Sequence, residues 1–316
     1  MAPLPLMRVL VTGGRGTLGR VLVPILVTKG HEPVVFDLPQ ASIDPASGTP
    51  AAVQQIVGDI RSSDDVRRAA DGVDLIIHAA AIHGIHLATH APQDFHDLNV
   101  TGTFNVWQAA AAERVKGLIF SSTMGVYGDS RTPAGDTDVV AVQEDLHLLP
   151  GDIYGFSKVA GEEMCKLHWR LDDVPSIALR FGMFVPETFF RYGIRLLYGG
   201  VDERDAAGSV MAAVDALLAG RVEHDAFNVE SLLPFGQDDA PDLRRDPLVA
   251  LERHFPGSAQ LLRSRGVRTL KPIMERFVMQ RIGQRLGFQP RHNFVEWLAE
   301  LERRPGERAQ DDPAWP

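Results

Sequence analysis

One cysteine, Cys165, stands in 316 residues. A lone thiol closes no intrachain disulfide and furnishes no thiolate metal cage, so the chain reads as a protein of a reducing cytoplasm that relies on its size to bury a core. Basic residues are outnumbered: 32 Lys and Arg stand against 41 Asp and Glu, a net charge of −9. No basic excess is available to neutralise phosphates, which argues against a nucleic-acid partner. No stretch approaches the ~20 apolar residues of a membrane span, so no membrane partner is expected. The opening MAPLPLMRVLVTGG has a short apolar run without a basic leader or a small-residue cleavage site, and reads as the approach to a first buried strand, Arg8 to Thr12. Internal repeats and low-complexity tracts are also missing. With 45% hydrophobic and 23% charged residues the balance is that of an ordinary globular protein.

What is present is an alternation. RVLVT, EPVVFD, AVQQIVGD, VDLIIHAAA, GLIFSS and PSIALRF are short β-branched or apolar runs bounded by Gly, Asp, Pro or Ser. Between them, Leu18 to Lys29, Phe95 to Arg114 and Tyr154 to Leu171 carry apolar residues at helical spacing. This order predicts an α/β fold, a Rossmann-type doubly wound parallel sheet covered on both faces. Beyond Arg180 the rhythm weakens. FFRYGIRLLYGG reads as an irregular connector, Asp205 to Ala219 as a helix, AFNV as a strand and GQDDAPDLRRDP as an exposed charged segment. Helical pieces are expected at Pro247 to His254, Pro272 to Leu286 and Asn293 to Arg303. The organisation expected is a dinucleotide-binding domain over 1–180 and a smaller C-terminal substrate-binding lobe over 181–304. A strand and helix near 201–230 would return to the first domain, and a disordered tail would cover 305–316.

VLVTGGRGTLGRVL places Gly13, Gly16 and Gly19 between the first strand and the first helix. Glycine permits the tight turn and lets the backbone approach a pyrophosphate, while the helix N-terminus offers unpaired N–H groups. A glycine run alone is weak evidence, but here strand and helix flank it as a dinucleotide site requires. Asp37 ends the second strand, where a carboxylate can accept from the adenosine ribose hydroxyls and repel a 2′-phosphate. NAD is therefore expected over NADP, although Arg15 can meet a 2′-phosphate.

Farther along, SSTMGVYGDS is followed by DIYGFSK. Tyr154 and Lys158, four residues apart on a helix, share a face. A phenol titrates near 10, too high for a base at neutral pH, and a neighbouring ammonium is expected to lower that value. Tyr154 could then exchange a proton with a substrate hydroxyl. By chance alone such a pair is common; downstream of the glycine turn it becomes a candidate hydride-transfer site.

At this point the chain resembles the extended short-chain dehydrogenases, in their epimerase/dehydratase branch. The resemblance runs from VTGGRGTLG to LGFQPRHNFVEWL and includes GDI at Gly58 to Ile60, HAAA at His78 to Ala81, NVTGTFNV from Asn99, SSTMGVYG, YGFSK and LRF at Leu179 to Phe181. It implies residue roles. Thr123, Tyr154 and Lys158 would be catalytic, the threonine hydroxyl holding the reacting oxygen and the lysine also holding the nicotinamide ribose. Gly13, Gly16, Thr17, Leu18, Gly19, Asp37 and Phe181 would contact the cofactor, with Asp59 and Ile60 flanking the adenine and Ala79, Ala80 and Ala81 beside the diphosphate and ribose. Asn99 would support the helix of the active site. A homodimer is also implied.

The chain departs from the nucleotide-sugar members in two ways. Met183 stands where an Asn usually holds the diphosphate, and only a short segment separates Pro186 from the helix at Asp205. A sugar-like small molecule is therefore expected as substrate, a free sugar or uronate in preference to a nucleotide sugar, with either net dehydrogenation or epimerisation. An NDP-sugar 4-epimerase is the alternative, and a non-catalytic NAD(P)-sensing protein is the alternative of another class. Met124 and Gly125 replace the acid pair a dehydratase would want. His83 and His86 are read as substrate contacts, and Arg191 and Arg195 as partners for a substrate carboxylate or phosphate. His78, His83, His86, His90 and His96 invite a metal, but no acidic residue is interleaved until Asp94 and the tyrosine chemistry needs none. Cys165 reads as a small buried side chain.

The Asp37 assignment predicts that Asp37→Ala weakens NAD binding and relaxes selection against NADP. The ratio of kcat/KM with the two cofactors measures it, and an unchanged ratio refutes it.

Overall fold

The structure, a computed structural model, describes residues 6–39, 53–135 and 138–309. The first described strand lies inside the sheet, not at its edge. β1 (Arg8–Thr12) is followed by α1 (Thr17–Thr28), β2 (Glu32–Asp37), β3 (Gln54–Val57), α2 (Ser63–Ala70) and β4 (Leu75–His78). A short α3 (Pro92–Phe95) runs through a π-helical stretch, His96–Thr101, into α4 (Gly102–Glu113). Then come β5 (Leu118–Thr123), β6 (Val140–Val142), α5 (Ile153–Asp172), β7 (Ser176–Phe181), α6 (Phe189–Arg195), α7 (Glu203–Leu218) and β8 (His224–Val229). The remainder is α8 (Ala240–Arg245), α9 (Pro247–His254), α10 (Ser258–Ser264), β9 (Glu275–Phe277), α11 (Gln280–Leu286) and α12 (Phe294–Arg303).

The seven-stranded sheet has the order β3-β2-β1-β4-β5-β7-β8, and its pairs are parallel. A parallel strand covered on both faces must be apolar on both, and Val9 to Thr12, Leu75 to His78 and all of β7 are buried. One face packs against α1, α7 and α11 through Leu22, Leu26, Val210, Val214 and Ile282. The other packs against α2, α4 and α5 through Val66, Val106, Trp107 and Cys165. The strand order reverses between β1 and β4. There the two neighbouring connections leave toward opposite faces and open a crevice beyond the carboxyl ends of the strands.

A third apolar cluster gathers mostly C-terminal segments, with Phe190, Leu243, Leu251, Leu262, Phe294 and Trp297 among its buried residues. Three expectations fail here, all on short elements. The supposed connector FFRYGIRLLYGG contains α6, whose Phe190 meets Trp297 edge-on at 5.8 Å. The supposedly exposed GQDDAPDLRRDP contains α8, which buries Ala240 and Leu243. Asp239 just before it is buried because it is paired with Arg253 at 2.6 Å and His254 at 2.9 Å. Pro272 to Leu286 is not one helix: β9 pairs in parallel with β6 before α11 begins. Arg131 fastens that small sheet through Glu275 at 2.9 Å. Of the segment expected as a tail, residues 305–309 pack onto this cluster, with Ala309 fully buried and its N–H donating to the Arg265 carbonyl at 2.8 Å; 310–316 lie outside the described residues.

The site depends on how α5 is seated. A Cβ at Gly161 would fall 2.2 Å from the Phe120 ring, so glycine there is what allows α5 to lie directly on β5. A buried ion pair then fixes it. Arg180 of β7 donates Nη2 to Glu162 Oε2 at 2.7 Å and Nε to both carboxylate oxygens, while its Nη1 reaches the Tyr127 hydroxyl at 2.8 Å and the Glu144 carbonyl at 2.9 Å. Ser122 of β5 donates to the same carboxylate at 2.5 Å. Breaking a buried pair strands the surviving charge, a cost of about 3–5 kcal/mol, whereas replacing both partners by apolar groups can be neutral. Urea denaturation of Arg180→Leu should therefore show a loss of that size. The double variant Arg180→Leu with Glu162→Leu should recover most of it, and equal losses in the two would remove the pair from its place in the fold.

Candidate active site

The crevice has a backbone-lined end and a side-chain-lined end. At the first, Gly13 has φ +67 and a Cβ on it would lie 2.7 Å from the Ala80 nitrogen. Its N–H donates to the Phe36 carbonyl at 2.9 Å, and Gly16 turns back to the Gly13 carbonyl at 3.0 Å. α1 then starts without a side-chain cap and without an acid in its first turn, so its N-terminal dipole is unopposed. This shape and polarity fit a dinucleotide pyrophosphate. Asp37 lines the same end, its carboxylate accepting from the Arg15 N–H at 2.9 Å and the Leu38 N–H at 2.8 Å. Asp59 and Ile60 also line it, as do Ala79, Ala80 and Ala81. The Arg61 guanidinium, 2.5 Å from Asp59, holds that carboxyl below its usual range.

At the other end a cavity of about 420 Å³ continues past Gly13, Gly16, Thr17, Leu18 and Ala79 to Thr123, Tyr154, Lys158, Phe181 and Met183. That volume suits a small-molecule site. Thr123 is the last residue of β5 and its Oγ1 accepts from the Gly125 N–H at 3.1 Å. Tyr154 and Lys158 lie in the first turns of α5, which Asp152 caps by accepting from the Gly155 N–H at 2.7 Å. Lys158 donates to the Ser121 carbonyl at 2.7 Å, with its ammonium 4.9 Å from the centre of the Phe120 ring and 5.9 Å from that of Tyr154.

The electrostatics differ from the expectation that Lys158 would draw down the Tyr154 pKa. Desolvation pushes the phenol up to about 12, opposed by a hydrogen bond with Thr123 and reinforced by the Asp152 charge. Lys158 does not counter this because it is itself desolvated, its pKa brought down to about 7, so it offers little positive charge above neutrality. The phenol therefore carries its proton. His78, buried between Thr12 Oγ1 at 2.6 Å and Thr103 Oγ1 at 2.9 Å, is pushed down to about 3 by desolvation and then Lys158, and stays neutral.

Other expected residues are placed elsewhere. Gly19 does not line the crevice; a Cβ there would meet the Gly14 backbone at 2.3 Å, so it lets α1 lie close against the turn that leads into it. Asn99 lines neither end. It accepts from the Ile82 N–H at 2.8 Å and donates to the Ile82 carbonyl at 2.9 Å and Ser157 Oγ at 3.0 Å, joining the loop after β4 to α5. His83 lines the junction of the two ends, its ring 6.2 Å from Tyr154; desolvation, then Lys158 and His86, lower its pKa. His86 does not line the crevice: its Nδ1 is taken by the His83 N–H at 3.2 Å. Arg191 is exposed and outside the lining. Arg195 is buried, its guanidinium committed to Glu187 at 2.5 Å and to the carbonyls of Met183 and Val201. Neither arginine lines the crevice: Arg191 lies exposed outside it, and the buried Arg195 is paired with Glu187. Among the described residues no group of three or more His, Cys, Asp or Glu could hold a metal ion, and no helix is long and apolar enough to cross a membrane. Sequence reading overlooked Gly84, Ile85, Phe184, Val185 and Pro186, which also line the cavity. Their signal was position alone, since the segments after β4 and β7 leave the carboxyl edge of the sheet.

The model of the NAD dependent epimerase/dehydratase family matches residues 9–188. A UDP-glucose 4-epimerase of Streptomyces lividans is 34% identical over 158 residues, 49% of this chain and 45% of that protein. A uronate dehydrogenase of Pseudomonas syringae pv. tomato is 29% identical over 187 residues, 58% of this chain and 62% of that protein. The chain thus spans about half to three fifths of the length of these relatives. In fold, a short-chain dehydrogenase/reductase superfamily protein from Agrobacterium tumefaciens, solved with bound NAD, superposes with a TM-score of 0.69 at 20% identity, covering 94% of this chain and 97% of that one.

The low Lys158 pKa has a thermodynamic consequence. Between about 7 and 10.5 the unfolded chain holds this proton and the folded chain does not, so the group's contribution to stability rises with pH across that window and is lost as pH falls through 7. Cofactor-free Lys158→Met should therefore gain most over the parent near pH 7, and its advantage should shrink toward pH 10. Thermal denaturation across that range checks it; a pH-independent difference contradicts it.

Proposed function

The chain belongs to the NAD-dependent epimerase/dehydratase family, and from that premise we propose that it catalyses NAD-dependent hydride transfer at a secondary alcohol or ketone of a sugar-like small molecule. The observation that carries this reading is convergence: Thr123, Tyr154 and Lys158 line one end of a crevice whose other end is the glycine cradle at Gly13 and Gly16. NAD would be held by the N–H groups at the start of α1, by Asp37 at the adenosine ribose, by Asp59 and Ile60 at the adenine, and by Lys158 and Phe181 near the reacting end. Once bound it supplies the hydride acceptor, and in reduced form the donor.

The residues of the chain handle the proton. The Thr123 hydroxyl holds the reacting oxygen. In oxidation Tyr154 first gives up its own proton to solvent and, as the phenolate, takes that of the substrate hydroxyl as the carbonyl forms; in reduction the protonated phenol gives its proton to the carbonyl oxygen. The high phenol pKa of the cofactor-free protein supports a resting state loaded with that proton. Release of the carbonyl compound makes the enzyme a dehydrogenase. Reduction of that compound on its other face makes it an epimerase. Exposed Phe104 on α4 and Phe156 and Leu167 on α5 support a homodimer through these helices.

Absorbance at 340 nm with NAD and a panel of sugars, uronates and UDP-sugars tests the reading. Tyr154→Phe should bind NAD yet lose about 10²–10⁴-fold in kcat. A near-normal kcat rejects Tyr154 as the proton carrier, and tight NAD binding without turnover of any alcohol favours a sensing protein.

A further inference from the structure

The substrate end of the crevice is apolar and carries little positive charge. Ile85, Met124, Met183, Phe184, Val185 and Pro186 line it, and Ile85 and Met183 are 60% and 42% exposed there. The backbone that carries Met183 is held in place. The Met183 N–H donates to the Gly199 carbonyl at 3.0 Å, its carbonyl accepts from the Val201 N–H at 3.1 Å, and the Arg195 guanidinium grips that carbonyl from below. Exposed apolar side chains inside a concave site are best covered by a ligand with an apolar face.

Charged ligands find no arginine presented to them. Arg195 is electrically balanced by Glu187, and Arg191 lies outside the lining. Behind Gly182, where a Cβ would fall 1.9 Å from its Oε2, stands the buried acid Glu230, neither of whose carboxylate oxygens has a hydrogen-bond partner among the described residues. Among the described lining residues of this cavity the titratable side chains are His83, Tyr154 and Lys158, and Lys158 is turned to the Ser121 carbonyl. A carboxylate or diphosphate entering here would lose its hydration without a compensating ion pair.

Resting on the hydride-transfer reading and narrowing its substrate, we propose that the substrate is an uncharged sugar-like secondary alcohol, or its ketone, that also carries an apolar group such as an aryl or alicyclic ring packing on Ile85 and Met183. The carbinol C–H bond breaks with its electron pair leaving to NAD, the O–H proton passes to the Tyr154 phenolate, whose own proton has first left to solvent, and a ketone and NADH result. The apolar contact should favour such a ligand by at least ~10-fold over one lacking it.

Binding separates this proposal from the chemistry. Titrate Tyr154→Phe protein loaded with NADH, by calorimetry, with acetophenone, arabinose, glucuronate and UDP-glucose, and assay the parent at 340 nm with 1-phenylethanol and the three sugars. Acetophenone should bind at least ~10-fold more tightly than the others, and Met183→Arg should reverse its advantage over glucuronate. Tighter binding of arabinose, glucuronate or UDP-glucose, or no measurable acetophenone binding, overturns the proposal. If the binding order holds while no alcohol is turned over, the hydride-transfer reading fails and the ligand class stands. If only the sugars are oxidised, the reverse is true.

Discussion

Two opposite charges buried on neighbouring elements, Glu162 on α5 and Arg180 on β7, set the geometry on which the catalytic end depends. Each would be prohibitive alone in that environment, and each is tolerated because the other and a ring of hydrogen bonds surround it. The carboxylate also receives Ser122, one residue before Thr123, and lies one helical turn beyond Lys158. A single pair thus fixes the end of β5 relative to the start of α5. Tyr127 extends the same network to Asn228 of β8 at 2.6 Å, so the strand farthest from the cradle is tied in as well.

The state of the site follows from burial more than from proximity. A tyrosine and a lysine on one helical face suggest mutual stabilisation of phenolate and ammonium. In the folded chain both are desolvated, and each moves toward its neutral form. Thr123 is the group that pulls the phenol the other way. The distinction matters because it makes the hydroxyl partner, rather than the ammonium, the principal local counterweight to the penalty on the phenolate in the cofactor-free protein.

How much could be read from residues alone depended on how local the determinants were. β1, β2, β4, β5 and β7 are continuous apolar runs bounded by turn residues, and their existence, type and order follow from that pattern. The Gly13 turn and the four-residue spacing of Tyr154 and Lys158 are likewise local, and the folded chain brings them to one crevice. α6, α8 and β9 are short, and each exists because of a partner distant in sequence: Trp297 for α6, Arg253 and His254 for the entry to α8, β6 for β9. The arginines show the same limit. Arg195 presents in sequence as a cation open to a ligand, and only the fold reveals Glu187 closing on it. Gly161 gives no sign of its purpose until the Phe120 ring is found beneath it.

The returning elements bear on how the molecule is made. One face of the sheet is roofed by α1 from the beginning of the chain and by α7 and α11 from far along it, with β8 added at the edge. A nascent polypeptide emerging from the ribosome therefore has its catalytic strand and helix early, yet waits until Leu286 has emerged before that face is sealed. During the interval an apolar surface containing Val9, Val11, Ile177 and Leu179 stands partly uncovered. Translation pauses in this stretch, or a scarcity of chaperones, would be felt as aggregation of half-made chains rather than as a defect in any finished enzyme.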